Sequence, residues 1–322
     1  MTFPRRRVVL IGSITALGLG SCSHAVTHTY EQSYLAADYN WSFRDHFPRA
    51  DRLFNGFDYG HAILYETLIT TSDPARRLES REFDFITTSV LRHPPKVPLE
   101  EAAIGPDYVK LVPEVAAMFD WAHAFHRQLY DIWGAYGMTW WQRDSAVARA
   151  LRYYLSRRDL AFSTKPKSMD LMEGQPYSLA FRRQDPKFNG LLWSYHWLQM
   201  SLYDALIEGH SERQLQAAVD AKVAAFFRML DSAPAHMPTE MPMAPGSAPI
   251  FSARYPAAAI VFDNLHSLHD VVSDILASST VPRSRKRAAI LAAAAAYRDD
   301  TTAVVSVAEW REMGRMMAPR VP

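Results

Sequence analysis

Cysteine is almost absent: Cys22 is the only one in 322 residues. That excludes a disulfide framework, Cys-ligated zinc, an iron–sulfur cluster and haem attachment through C-x-x-C-H. An excess of either charge is missing too. With 35 basic and 34 acidic residues the net charge is +1, which leaves no electrostatic footprint for nucleic acid. No apolar run reaches the roughly 20 residues that a membrane-crossing helix needs. Glycine is sparse, and no Gly-rich phosphate loop, G-x-S-x-G elbow or H-E-x-x-H pair occurs. Alternating strand patterns of useful length and internal repeats are lacking as well.

What is present is helical periodicity. Helices are expected over about 58–70, 107–135, 143–156, 191–207, 212–230, 257–277 and 283–297. Ser211 followed by Gln214 is a capping-box pattern at the start of one of them. Charged or proline-bearing stretches separate them at 72–106, 164–186 and 233–256, with one short helix expected near 82–91. The fold class is therefore all-α, a single bundle-like helical domain with long irregular proline-rich loops. The expected organisation is a leader at 1–21, an aromatic-rich arm at 22–55, a helical domain at 56–300 and a tail at 301–322.

The N-terminus carries an address. Arg5, Arg6 and Arg7 precede an apolar run from Val8 to Gly20, and small residues lead into Cys22. This stretch resembles a bacterial lipoprotein signal, in which the cysteine is lipidated and begins the mature chain. The arginines also resemble a twin-arginine export signal, with Pro4 and aliphatic residues departing from that pattern. The lipoprotein resemblance implies a periplasm-facing, membrane-anchored protein whose lipid anchor is Cys22. The tether behind it is short, because Tyr30, Tyr34, Tyr39 and Trp41 follow at once. Aromatics at that density point to packed structure close to the membrane.

The candidate chemistry lies in the histidines. Over 107–135, Phe119, His123, His126, Tyr130 and Trp133 form one stripe, with Asp120, Arg127 and Asp131 expected on the opposite, solvated side. The helix around His196 is apolar almost all round, so it is expected at the centre; His196, Gln199 and Tyr203 form its polar line. His61 lies on the apolar stripe of the first helix. His269 falls with Phe262, Leu265 and Val272, whereas Asp263, His266 and Asp270 share a stripe expected to face solvent.

Four helices can thus aim a histidine inward, and bundles build metal and haem sites this way. The tentative ligand set is His61, His123, His126, His196, His266 and His269, and neutral imidazole suits iron, copper or zinc. The spacings Asp120-x-x-His123 and Asp263-x-x-His266 approach the Glu-x-x-His pairs of di-iron carboxylate bundles without matching them. The competing reading is a buried polar network of His, Tyr and Gln that sets helix register. The two differ geometrically: ligation requires three or more of the six rings to converge.

Other features carry less. His236, Met237, Met241 and Met243 form a weak candidate copper site, or an adaptable contact surface. Trp140 and Trp141 are expected in the core. Arg283, Arg285, Lys286 and Arg287 read as a solvated face at a helix start.

Three functions remain open on these residues, one of them a copper-binding lipoprotein that uses the His236, Met237, Met241 and Met243 loop. One is a non-catalytic binding or accessory subunit, with a membrane-bound protein partner reached through the lipid anchor. Another is an oxidoreductase that uses a metal or haem between its helices.

Overall fold

The structure, a computed structural model, describes residues 29–319. Cys22 and the 1–21 segment lie outside the described residues. Among the described residues the chain is all-helical, with no strand beyond an isolated bridge between Lys167 and Val304. No helix among them is long and apolar enough to cross a membrane.

Eight helices build and enclose the centre: α1 Pro48–Thr70, α2 Pro113–Gly134, α3 Trp140–Ser156, α4 Pro186–Glu208, α5 Glu212–Asp231, α6 Pro256–Ala277, α7 Arg283–Arg298 and α8 Val307–Met316. Four of them, α1, α2, α4 and α6, pack on one another at the middle, and each begins with a proline in its first turn. Proline is favoured there because its missing N–H has no intrahelical partner to lose and its φ is already helical. The prolines of the irregular stretches therefore mark helix starts as well as loops. This is why α1 begins earlier than its periodicity suggests, at Pro48 instead of near residue 58, and why Pro113 splits the 107–135 region into Pro106–Leu111 and α2.

As expected, α4 is central and buried on every side from Phe188 to Ile207. It approaches α1 closely at Gly60, where an added Cβ would stand 2.8 Å from the Tyr195 ring. At the start of α5, Ser211 Oγ accepts from Gln214 N–H, but the Gln214 side chain accepts from His210 N–H. The cap is thus half of the expected box. Full capping boxes instead start α3 at Thr139 and α8 at Ser306.

Several expectations are corrected. Residues 301–319 are not a simple tail, because α8 packs back through Trp310, whose indole N–H donates to Asp263 Oδ2 at 2.7 Å. The 72–106 stretch is largely helical, with short turns at Pro74–Arg77, Leu78–Glu82, Phe83–Phe85, Ile86–Val90 and Glu101–Ile104. Trp140 and Trp141 are exposed, Trp141 at 76 %. Their place in the first turn of α3 puts them beyond the face that α3 buries through Ala146, Val147, Ala150 and Tyr154. The basic start of α7 is partly engaged: Arg287 Nη2 donates to Glu114 at 2.6 Å, and Lys286 bonds the carbonyl of Leu276.

Candidate metal centre

The six candidate histidines come from four helices: His61 on α1, His123 and His126 on α2, His196 on α4, His266 and His269 on α6. On α2 and α6 the pairs are three residues apart, which places both members on one face. All six side chains are buried, none more than 6 % exposed.

They meet in the middle of the bundle. His61 and His269 have ring centroids 4.4 Å apart, His196 and His266 4.2 Å, His61 and His196 5.6 Å, His123 and His269 5.6 Å, and His126 and His266 6.0 Å. For His61, His196 and His269, one ring nitrogen from each lies within 4.8 Å of the others. The solvated stripe expected for Asp263, His266 and Asp270 is therefore overturned. Residues on every side of α6 are buried: His266 faces His196 and His126, Asp270 accepts from Trp193 and Asp263 from Trp310, while α7 and the turns at 180–184 and 244–254 cover the rest.

Hydrogen bonding decides what these rings can do. His61 Nδ1 is 3.0 Å from the carbonyl of Phe57, which only accepts, so Nδ1 carries the proton and Nε2 the lone pair. That Nε2 has no protein partner, and neither does any ring nitrogen of His196, His266 or His269. An unsatisfied buried polar atom costs on the order of 1–3 kcal/mol. Several in one place mark something other than ordinary core packing.

Burial also keeps the rings neutral. It pushes His61 down to about 4 and His266 to about 3, with repulsion from His61 adding to the latter. His123, His126, His196 and His269 are driven well below the ordinary imidazole range, first by burial and then by neighbouring imidazoles. Neutral imidazole is the form that ligates metal.

The polar network expected as the competing reading exists in part. Tyr203 Oη lies 2.9 Å from His126 Nδ1 and donates to the His126 carbonyl at 3.0 Å, while the Tyr130 hydroxyl bonds the Gln199 carbonyl. His196 itself is not in that network, and the Gln199 side-chain oxygen is unpartnered.

Around the rings lies a charged layer that helical spacing alone misplaces. Arg127 and Asp131 are buried, not solvated. Residues 29–47 fold over that side of α2, and Asp131 accepts from Phe43 N–H at 3.0 Å. Arg127 donates to Asp51 Oδ1 at 2.8 Å and to Tyr30 Oη at 2.7 Å, and it also bonds Asn55. Tyr30 in turn donates to Asp58 Oδ2 at 3.1 Å, and Asp58 Oδ1 stands 3.9 Å from His123 Nδ1. Burial raises the Asp58 carboxyl to about 7 against the pull of Arg127. Asp58-x-x-His61 is a third Asp-x-x-His spacing, and it was the available signal for this layer.

No carboxylate belongs to the converging set. Asp263 accepts from Trp310 and from Ala244 N–H, and Asp270 Oδ2 accepts from Trp193 Nε1 at 2.9 Å. Asp120 accepts from Glu101 N–H at 3.1 Å. The likeness to carboxylate-bridged di-iron bundles ends there.

The methionine loop packs elsewhere. Met237, Met241 and Met243 are buried, with Met241 Sδ accepting from Ser267 Oγ at 3.5 Å, whereas His236 is exposed beside Ser232. No protein family, curated protein or solved structure matches this chain.

Proposed function

We propose that this protein is a metalloprotein whose core histidines hold a late first-row transition metal, copper before zinc. One observation carries the reading: His61, His196 and His269 bring ligand nitrogens from three helices within 4.8 Å, and five of their six ring nitrogens have no other partner. The donor chemistry narrows the metal. Neutral imidazoles without thiolate or carboxylate suit copper, zinc, iron and nickel, and copper stands highest in the affinity order. Haem fits less well, since the rings contact one another and Phe119, with His269 and Phe119 centroids 4.0 Å apart, so there is no slot for a porphyrin among them.

Burial restricts what the centre meets. None of the described cavities is lined by any of the six histidines. Electron transfer or a diatomic ligand suits such a site better than an organic substrate. Metal analysis of protein purified without chelators is the test. At least one copper or zinc per chain is expected; no stoichiometric metal, natively or after loading, would remove the reading.

A second element of the proposal concerns place. We propose that the chain is anchored to a membrane through Cys22 and works beside a membrane-bound partner. What supports this is the short reach from Cys22 to packed structure: Tyr30 is already buried and bonded to Asp58. Radiolabelled-lipid incorporation that persists in Cys22→Ser would overturn the anchor.

A further inference from the structure

The six imidazoles outnumber the needs of one ion, which takes about four ligands in an imidazole site. Resting on the reading of the cluster as a metal centre, the question is whether all the rings can serve one position.

They cannot. A metal bound to an imidazole nitrogen lies near the plane of that ring, because the lone pair is in-plane. His196 and His266 stack face to face, with centroids 4.2 Å apart and planes 8° from parallel. Two parallel planes held apart by ring contact share no point where one ion satisfies both. His61 and His196 are nearly parallel too, at 12°, but they stand further apart, at 5.6 Å, and one nitrogen of each lies within 4.8 Å of the other and of one on His269. His196 therefore belongs with His61 and His269, and His266 belongs to a neighbouring position.

His126 supplies the neighbouring position with a prepared partner. The Tyr203 hydroxyl stands 2.9 Å from His126 Nδ1 and 3.0 Å from the His126 carbonyl; when its proton goes to the carbonyl, it accepts from Nδ1–H. In that tautomer His126 Nε2 is a buried lone pair with no protein partner, the same state as His61 Nε2. The His126 and His266 rings are 6.0 Å apart and tilted by 42°, so they are not stacked on one another. Both nitrogens of His266 are also unpartnered.

We propose that the cluster holds two metal ions side by side: one on His61, His196 and His269, and a second, more open one on His126 and His266. The second position has only two protein ligands, so it leaves coordination sites for a small exogenous ligand. It is the position at which a diatomic molecule or water binds.

The test is titration of chelator-stripped full-length protein with Cu(I), and separately with Zn(II), read as tightly bound metal per chain. Two equivalents are expected, falling to one in His266→Leu and in His126→Leu. One equivalent in the unsubstituted protein would overturn the pair while leaving the single-metal reading intact; none would overturn both. Either variant retaining two equivalents would also overturn the assignment. A second readout needs no variant. In the oxidised copper-loaded protein, spin integration by electron paramagnetic resonance should fall at least twofold below the copper content, because adjacent ions couple. Full spin intensity would overturn the side-by-side placement.

Discussion

His196 and His266, from α4 and α6, stack with centroids 4.2 Å apart, and none of their four ring nitrogens has a hydrogen-bond partner. Core packing alone does not favour that arrangement, because each orphaned nitrogen is desolvated without compensation. A site kept at the expense of stability is the mark of a group that waits for a ligand.

The first prediction concerns His196 itself. In metal-free protein, His196→Leu should be as stable as the parent or more so, by up to about 2 kcal/mol, because it removes unpaired buried polar atoms. The same variant should lose the metal held by His61, His196 and His269. Urea unfolding of chelator-treated samples checks the first half. A destabilisation beyond about 2 kcal/mol would point to a structural role for the ring.

Acid should unfold the metal-free protein earlier than its carboxylates alone would. The His61 and His266 pKa values fall on folding, to about 4 and about 3. Between those values and the unfolded value of about 6.5, the unfolded state binds more protons at these two rings, so their contribution to stability rises with pH. The stabilisation is complete above about pH 6.5 and is lost as pH falls through the folded values. His61 alone contributes on the order of 3 kcal/mol across that window. Metal competes with protons for the same lone pairs, so loaded protein should unfold at lower pH. Circular dichroism against pH, with and without metal, measures both.

Arg127 holds together the layer outside His123. Arg127→Met would leave Asp51 with Arg44 as its remaining cation and remove the charge that favours ionised Asp58, a loss expected to cost about 1–3 kcal/mol. Because Tyr30 bonds both Arg127 and Asp58, the N-terminal arm should loosen with it. Hydrogen exchange over residues 29–47 reads that loosening separately from global stability.

Trp310→Phe tests whether α8 is part of the domain. It deletes the indole bond to Asp263, leaving that carboxylate with Ala244 N–H alone. A loss of about 1–3 kcal/mol is expected. Limited proteolysis should then release the C-terminal segment first; a cleavage pattern like the parent's would contradict the pinning.

Gly60→Ala probes the seat of His61. The new methyl would meet the Tyr195 ring at 2.8 Å, within a contact between two helices that cannot separate freely. Overpacking of this kind costs about 1–3 kcal/mol. Since His61 is the next residue on α1, metal affinity should fall as well, measured by chelator competition.

Periodicity settled a good deal. The apolar stripes of α1, α2, α4 and α6 required an all-helical class and turned most of the six histidines toward an interior, since a residue's angular place on its own helix depends only on spacing. A single cysteine was enough to exclude a disulfide framework and a Cys-ligated iron–sulfur cluster, because each needs several. Spacing says nothing about which neighbour covers a face. Arg127 and Asp131 read as solvated because the arm that buries them is remote in sequence, and Asp263, His266 and Asp270 read as solvated because the groups that meet them, Trp310 on α8, His196 and Trp193 on α4 and His126 on α2, are remote as well. The same limit hid the convergence of His61, His196 and His269. Their approach is set by how four separate helices cross, a property of long-range packing that no local pattern encodes, and only the tertiary structure decided that six buried rings share one centre.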